Sequence, residues 1–148
     1  QGYITLSGEN YVDYKDVKAW FDMLRKEYKI MPVRIGYDRY SAQYLVDEMS
    51  QKGYNMDDVY QGWNMAPEIR YFGGKLKDGR IHIGKNNLLK SHLLNVALKY
   101  ESDNQRFKPV KMRPSDHIDG FVSVIDAMIV KAKYYKEIKF LIRNERRK

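Results

Sequence analysis

The stretch PVRIGYDRYSAQYLVDEMSQKG, residues 32 to 53, decides the fold class. Pro32 opens a run rich in β-formers, Val33-Arg34-Ile35-Gly36-Tyr37, which ends on Asp38 and reads as a strand carrying a carboxylate at its C-terminal end. Ser41 stands where a helix cap belongs, Tyr44, Leu45 and Met49 follow at helical spacing, and Gly53 is the kind of residue on which helices stop. Upstream, Asp13 and Asp16 are cap candidates for a helix bearing Val17, Trp20, Phe21, Leu24 and Tyr28 along one face. Before it, Tyr3, Thr5 and Ser7 alternate with Ile4 and Leu6, which predicts a short strand, so that the chain opens mid-sheet. Downstream, Val59-Tyr60-Gln61 reads as a further strand. Strand, helix, strand, helix, strand is the order of an α/β layer with parallel pairing.

From Gly62 to Arg113 the pattern loosens. Pro67 opens a helix that Gly73-Gly74 is expected to end, Arg80 to Ile83 reads as a short strand, and Leu88 to Leu94 as one or two helical turns. Val96, Leu98 and Tyr100 alternate with Ala97 and Lys99, and a second extended run, Phe107 to Met112, completes a predicted hairpin. Lys99, Arg106, Lys108, Lys111 and Arg113 crowd that small element, which is where a nucleic-acid backbone is expected to lie. Pro114-Ser115-Asp116 signals a helix start. The apolar positions that follow, Ile118, Phe121, Val122, Val124, Ile125, Met128 and Ile129, form a stripe wide enough for a well-buried helix. Residues 136 to 148 form a basic amphipathic end, read as a solvated terminus.

The chain has 148 residues, the size of one domain, and 43% of them are hydrophobic, enough for a sizeable core. We expect a single domain over residues 1 to 142 and a basic tail from 143 to 148. Cysteine is absent, which excludes disulfides, thiol catalysis and zinc fingers, and fits a reducing cytoplasm. Neither a membrane span nor a signal peptide is evident, and Gln1 in place of Met suggests a trimmed or partial chain. The formal charge of +8 is not all in the tail, where four bases face one acid. A basic body favours a polyanionic partner, because neutralised phosphates release condensed counterions.

Two acids stand out by placement: Asp38 at a strand exit and Asp119 in the first turn of a buried helix. Rigid element ends can hold carboxylates a few ångströms apart; such a pair repels itself unless a cation intervenes, and oxygen ligands favour Mg²⁺ or Mn²⁺ over Zn²⁺. The same residues have bland readings. Asp38-Arg39 is equally a turn and cap signal, while Asp116 and Asp119 form a D-x-x-D that can cap its own helix. His117, between them, could touch phosphate or metal, although exposure near a helix start is the commoner outcome. His82 and His92 have no partner at ligand spacing and are read as surface or packing residues, and Asp126, two turns beyond Asp119, as solvated or paired with a base. Asp57-Asp58 with Glu68-Ile69-Arg70 has the acid spacing of restriction-type nucleases, but arginine stands where that pattern needs lysine.

Ile35-Gly36-Tyr37-Asp38-Arg39, Tyr60-Gln61-Gly62, Asn95-Val96 before the basic hairpin, and Lys111 followed by His117-Ile118-Asp119-Gly120 come in an order similar to that of phage large terminase subunits. From about Gly2 to Tyr135 the chain resembles the C-terminal nuclease domain of that family. The resemblance implies a ribonuclease H-like fold, a central mixed sheet flanked by helices with an added basic hairpin. It further implies a metal-dependent endonuclease that cuts concatemeric double-stranded DNA during packaging in the bacterial host cytoplasm. Asp38 and Asp119, with Asp116 beside them, would be metal ligands; Lys99, Arg106, Lys108, Lys111, Arg113 and His117 would meet DNA. An ATPase domain, a portal and a small terminase subunit are the implied partners. The family has another essential aspartate on a strand upstream of the segment matching Gly2 to Leu6, and nothing here corresponds to it, which implies weak or no activity for this piece. A phosphate-binding G-x-x-x-x-G-K-[ST] loop is missing too; Gly73-Gly74-Lys75 lacks its spacing. The competing readings are another ribonuclease H-like enzyme, of resolvase or transposase type, and a non-catalytic nucleic-acid-binding module.

Overall fold

A computed structural model describes residues 6–8, 11–40, 43–102 and 105–145. The first expected strand and the Ser41 cap fall mainly outside these residues. Asp13 caps α1, Tyr14–Lys26, its side chain accepting the Lys15 N–H at 2.8 Å, and Arg25 and Lys26 close the last turn where cations favour the dipole. The strand β1, Ile35–Asp38, lies parallel to β2, Met56–Val59, with α2, Gln43–Gln51, crossing between them. α2 buries Val46 and Met49, and Gly53, at φ +86°, takes the left-handed turn that ends it. Lys52–Asp22, at 2.7 Å, and Lys18–Glu48 pin α1 to α2.

β2 starts three residues before the expected strand. Asn55 sets its register: its carbonyl accepts the Ile35 N–H at 2.9 Å and its amide reaches the Val33 carbonyl. In consequence Asp57 and Val59 point inward. Asp57, nearly buried, is held by Lys133 at 2.8 Å and by the Tyr134 hydroxyl, so an acid that composition alone would send to solvent fastens β2 to the helical layer.

A 3-10 turn, Trp63–Met65, leads into α3, Ala66–Lys77, with proline near its start where no N–H is needed. α3 runs through Gly73 and Gly74, which were expected to end it, and stops only at the Gly79 turn, φ +67°. Residues 80 to 83 form no strand: they lie between left-handed glycines at 79 and 84 and join neither sheet. α4, Asn87–Leu94, is capped by Asn86. Then β3, Val96–Tyr100, and β4, Phe107–Lys111, form the expected antiparallel hairpin. α5, Asp119–Lys133, and α6, Tyr135–Glu145, complete the chain, and α6 runs across the boundary at residue 142.

Instead of one mixed sheet, the described residues form two separate two-stranded sheets, β1–β2 and β3–β4. α5 joins the two halves. One side packs on β1 and β2, the other on α3 and α4, and it buries Phe121, Ile125, Asp126 and Val130. Phe121 and Ile125 meet Met65, Ala66, Ile69, Phe72 and Phe107 in the main core, where Phe72 and Phe121 stack edge-on at 6.0 Å. Gly36 on β1 is the point of closest approach: a Cβ there would stand 2.9 Å from Val130 and 3.3 Å from the Asp126 carbonyl. Only glycine lets the strand lie this close to α5.

Candidate functional site

That close approach brings the C-terminal end of β1 beside the first half of α5, and a cleft of about 490 Å³ opens between them. Its walls are Gly36, Tyr37 and Asp38 from the strand, Gln61 from the loop after β2, and Ile118, Asp119, Val122, Ser123 and Asp126 from α5. Asp38 and Asp119, distant in sequence, share this cleft. Asp38 is half-buried, and its Oδ1 accepts the Tyr40 N–H at 3.2 Å, so the turn reading of this residue also holds. Asp119 opens α5, with a mostly exposed carboxylate that has His117 Nδ1 3.7 Å away.

Asp126 corrects the sequence reading. It is only 6% exposed and, among the described residues, is not paired with a base: it takes one hydrogen bond, from Gln61 Nε2 to its Oδ2 at 2.9 Å, while Oδ1 is buried without a partner. Burial pushes its carboxyl up to about 6; the Gln61 bond pulls the other way and the nearby Asp38 charge adds to the rise. Since the folded chain holds this proton more tightly than the unfolded one, Asp126 costs stability as pH rises from about 4 through 6. Asp126→Asn is therefore expected to raise the melting temperature in EDTA at pH 7.5, by an amount worth on the order of 2 kcal/mol, and to give almost no gain at pH 4. Melts across that range check it; a gain of equal size at both ends would contradict the buried-charge account.

Asp116 does not line the cleft, nor does it cap α5. Its carboxylate accepts the Arg113 backbone N–H at 2.9 Å and lies 3.7 Å from the Arg113 guanidinium, closing the turn after β4. No side chain of its own segment caps α5. The cap comes from α4 instead: His92 Nδ1 accepts the Gly120 N–H at 2.8 Å, and a Cβ at Gly120 would stand 2.9 Å from that nitrogen. The His117 ring lies 6.3 Å from that of His92.

The hairpin is rooted at the same place. Asn95 receives the Met112 N–H on its carbonyl at 2.9 Å and donates its amide to the His117 carbonyl at 3.1 Å, tying both strand ends to the residues before Asp119. Along the ladder Lys99 lies directly opposite Lys108, a like-charged pair that is unfavourable by itself. Lys108 sits over the Trp63 ring at 5.1 Å, Arg106 is joined to Glu101 at 2.7 Å, and Lys111 and Arg113 are exposed. Sequence reasoning missed Gln61 as a brace and His92 as a cap. Gln61 had been noticed only as part of Tyr60-Gln61-Gly62, and a cap supplied from another helix leaves no local pattern.

The cleft offers oxygen donors only, and an unpartnered buried carboxylate oxygen beside a second carboxylate is a group that a hard cation satisfies. Among the described residues, no three acidic or histidine side chains gather into a single ligand cluster.

Residues 1–134 match the family model of the terminase large subunit, endonuclease domain, and the chain belongs to that family. No curated protein matches it. Its fold is similar to the crystal structure of the HK97 bacteriophage large terminase, with a TM-score of 0.66 and 19% identity over 78% of this chain. The match covers 24% of that larger chain, so this sequence corresponds to about a quarter of it.

Proposed function

We propose that this domain is a divalent-cation-dependent endonuclease of phage DNA packaging, with a ribonuclease H-like fold, acting on concatemeric double-stranded DNA. The observation that carries the reading is the convergence of Asp38 and Asp119 on one cleft beside the root of a basic hairpin. In this reading the hairpin receives the phosphate backbone, with Lys99 and Lys108 as its facing pair and Arg106, Lys111, Arg113 and His117 around it. Asp38 and Asp119 would hold Mg²⁺ or Mn²⁺, each from a rigid element end. The chemistry such ions would supply when bound is activation of water and stabilisation of charge on the leaving oxygen. The cap from His92 fixes the start of α5 and with it the Asp119 backbone, while Asp116 serves the turn leading there. Two tight element ends thus present carboxylates without waiting for DNA to order them. In the packaging assembly an ATPase domain, a portal and a small subunit complete the machine.

The test is cleavage by the terminase subunit that carries this domain. Plasmid and linear duplex are expected to be cut with Mn²⁺ or Mg²⁺, and not in EDTA. Cutting confined to four-way junctions would move the domain to the resolvases, and binding without cation-dependent cutting would make it a non-catalytic module. For the hairpin, Lys99→Ala and Lys108→Ala are each expected to weaken duplex binding regardless of sequence and to lower the salt slope of log K by about one. An unchanged slope in both would remove the hairpin from the interface.

A further inference from the structure

We infer that Asp126 is a cation-binding carboxylate that works with Asp38, giving the cleft an ion position separate from the one at Asp119. The inference rests on the nuclease reading above and adds a ligand to it.

Asp126 lies seven residues after Asp119 on the same helix, roughly 10 Å along the axis, so the two cannot easily grip one ion together. This agrees with the lack of a single three-carboxylate cluster among the described residues. Asp38 comes from the opposite wall and is the charged neighbour that Asp126 feels. Asp126 is nine-tenths buried, lines the cleft, and keeps Oδ1 without a hydrogen-bond partner while Gln61 steadies Oδ2. A structural aspartate buried this deeply normally has its oxygens satisfied, as Asp57 has through Lys133 and Tyr134. Among the described residues, no cationic side chain pairs with Asp126. Two carboxylates are enough for Mg²⁺ or Mn²⁺, which keep several waters and take further oxygens from substrate phosphates. The arrangement costs stability in the ion-free protein and recovers it when a divalent cation arrives.

Mn²⁺ binding to the 148-residue chain, followed by calorimetry and by loss of the free-ion electron-paramagnetic signal at pH 7.5, tests this. Asp126→Asn is expected to melt above the parent in EDTA yet to bind Mn²⁺ about tenfold more weakly or worse, with part of its thermal stabilisation by Mn²⁺ gone. Gln61→Glu is expected to act in the opposite sense, lowering the ion-free melting temperature and tightening Mn²⁺ binding severalfold, and it stands in for Asp126→Asn if that variant does not fold. Asp119→Asn is expected to retain the event that depends on Asp126. Parental Mn²⁺ affinity in both Asp126→Asn and Gln61→Glu would overturn the inference while leaving the roles of Asp38 and Asp119 to the cleavage assay. If Asp38→Asn also binds as the parent does, the nuclease reading beneath it falls as well.

Discussion

Asp38→Asn and Asp119→Asn, each placed in the terminase subunit that carries this domain, are expected to lower Mn²⁺-supported plasmid cleavage by about a hundredfold or more. Cation charge at a scissile phosphate is worth several kcal/mol, and each 1.36 kcal/mol is roughly a factor of ten in rate. Asparagine keeps the shape and the acceptor oxygen that Tyr40 uses on Asp38, but loses the charge. Asp119 is mostly exposed, so folding has little stake in it. The melting temperature of either variant is accordingly expected within about 2 °C of the parent. Parental cleavage by both variants would end the assignment of roles, whereas a large fall in melting temperature would turn any lost cleavage into a folding effect.

Gly36→Val is expected to be the most damaging substitution outside the carboxylates. The first added carbon would stand 2.9 Å from Val130 Cγ2 and 3.3 Å from both Val59 Cγ2 and the Asp126 carbonyl. Val130 is β-branched and buried, and the carbonyl belongs to a helix backbone, so neither yields cheaply. The strand must move off α5. Overpacking of this kind costs about 1 to 3 kcal/mol, which lowers the melting temperature by several degrees. It would also draw Asp38 away from the helix that carries Asp119 and Asp126, so cleavage is expected to fall even at temperatures where the variant remains folded. Thermal melts paired with the plasmid assay check this, and unchanged values in both would show that β1 and α5 are not as closely set as the geometry has them.

The local elements with strong periodicity were legible. α1, α2, the hairpin and α5 stand close to where glycines and apolar spacing place them, although α5 begins at Asp119, past the Pro114-Ser115-Asp116 start signal. The errors came where distant partners decide. Gly73 and Gly74 read as a stop, yet α3 continues because Ile69 and Phe72 are held in the core and the following turn is at Gly79. Residues 80–83 have strand-like composition, yet they join neither sheet and stand between the left-handed glycines 79 and 84. Within the site, Asp38 and Asp119 could be singled out because strand exits and helix starts are recognisable in one dimension. Asp126 could not, since an aspartate at that helical position is as compatible with solvent as with burial, and only the packing of β1 on α5 decides between them.

The bonds at Asn95 and His92 have a mechanical meaning. The two-stranded arm and His117, two residues before Asp119, are fastened to one asparagine, and the helix leading into that arm grips Gly120, just past Asp119. A pull on the arm is therefore passed through short, stiff linkages to the start of α5, so hairpin and cleft are mechanically geared to each other rather than built as separate parts.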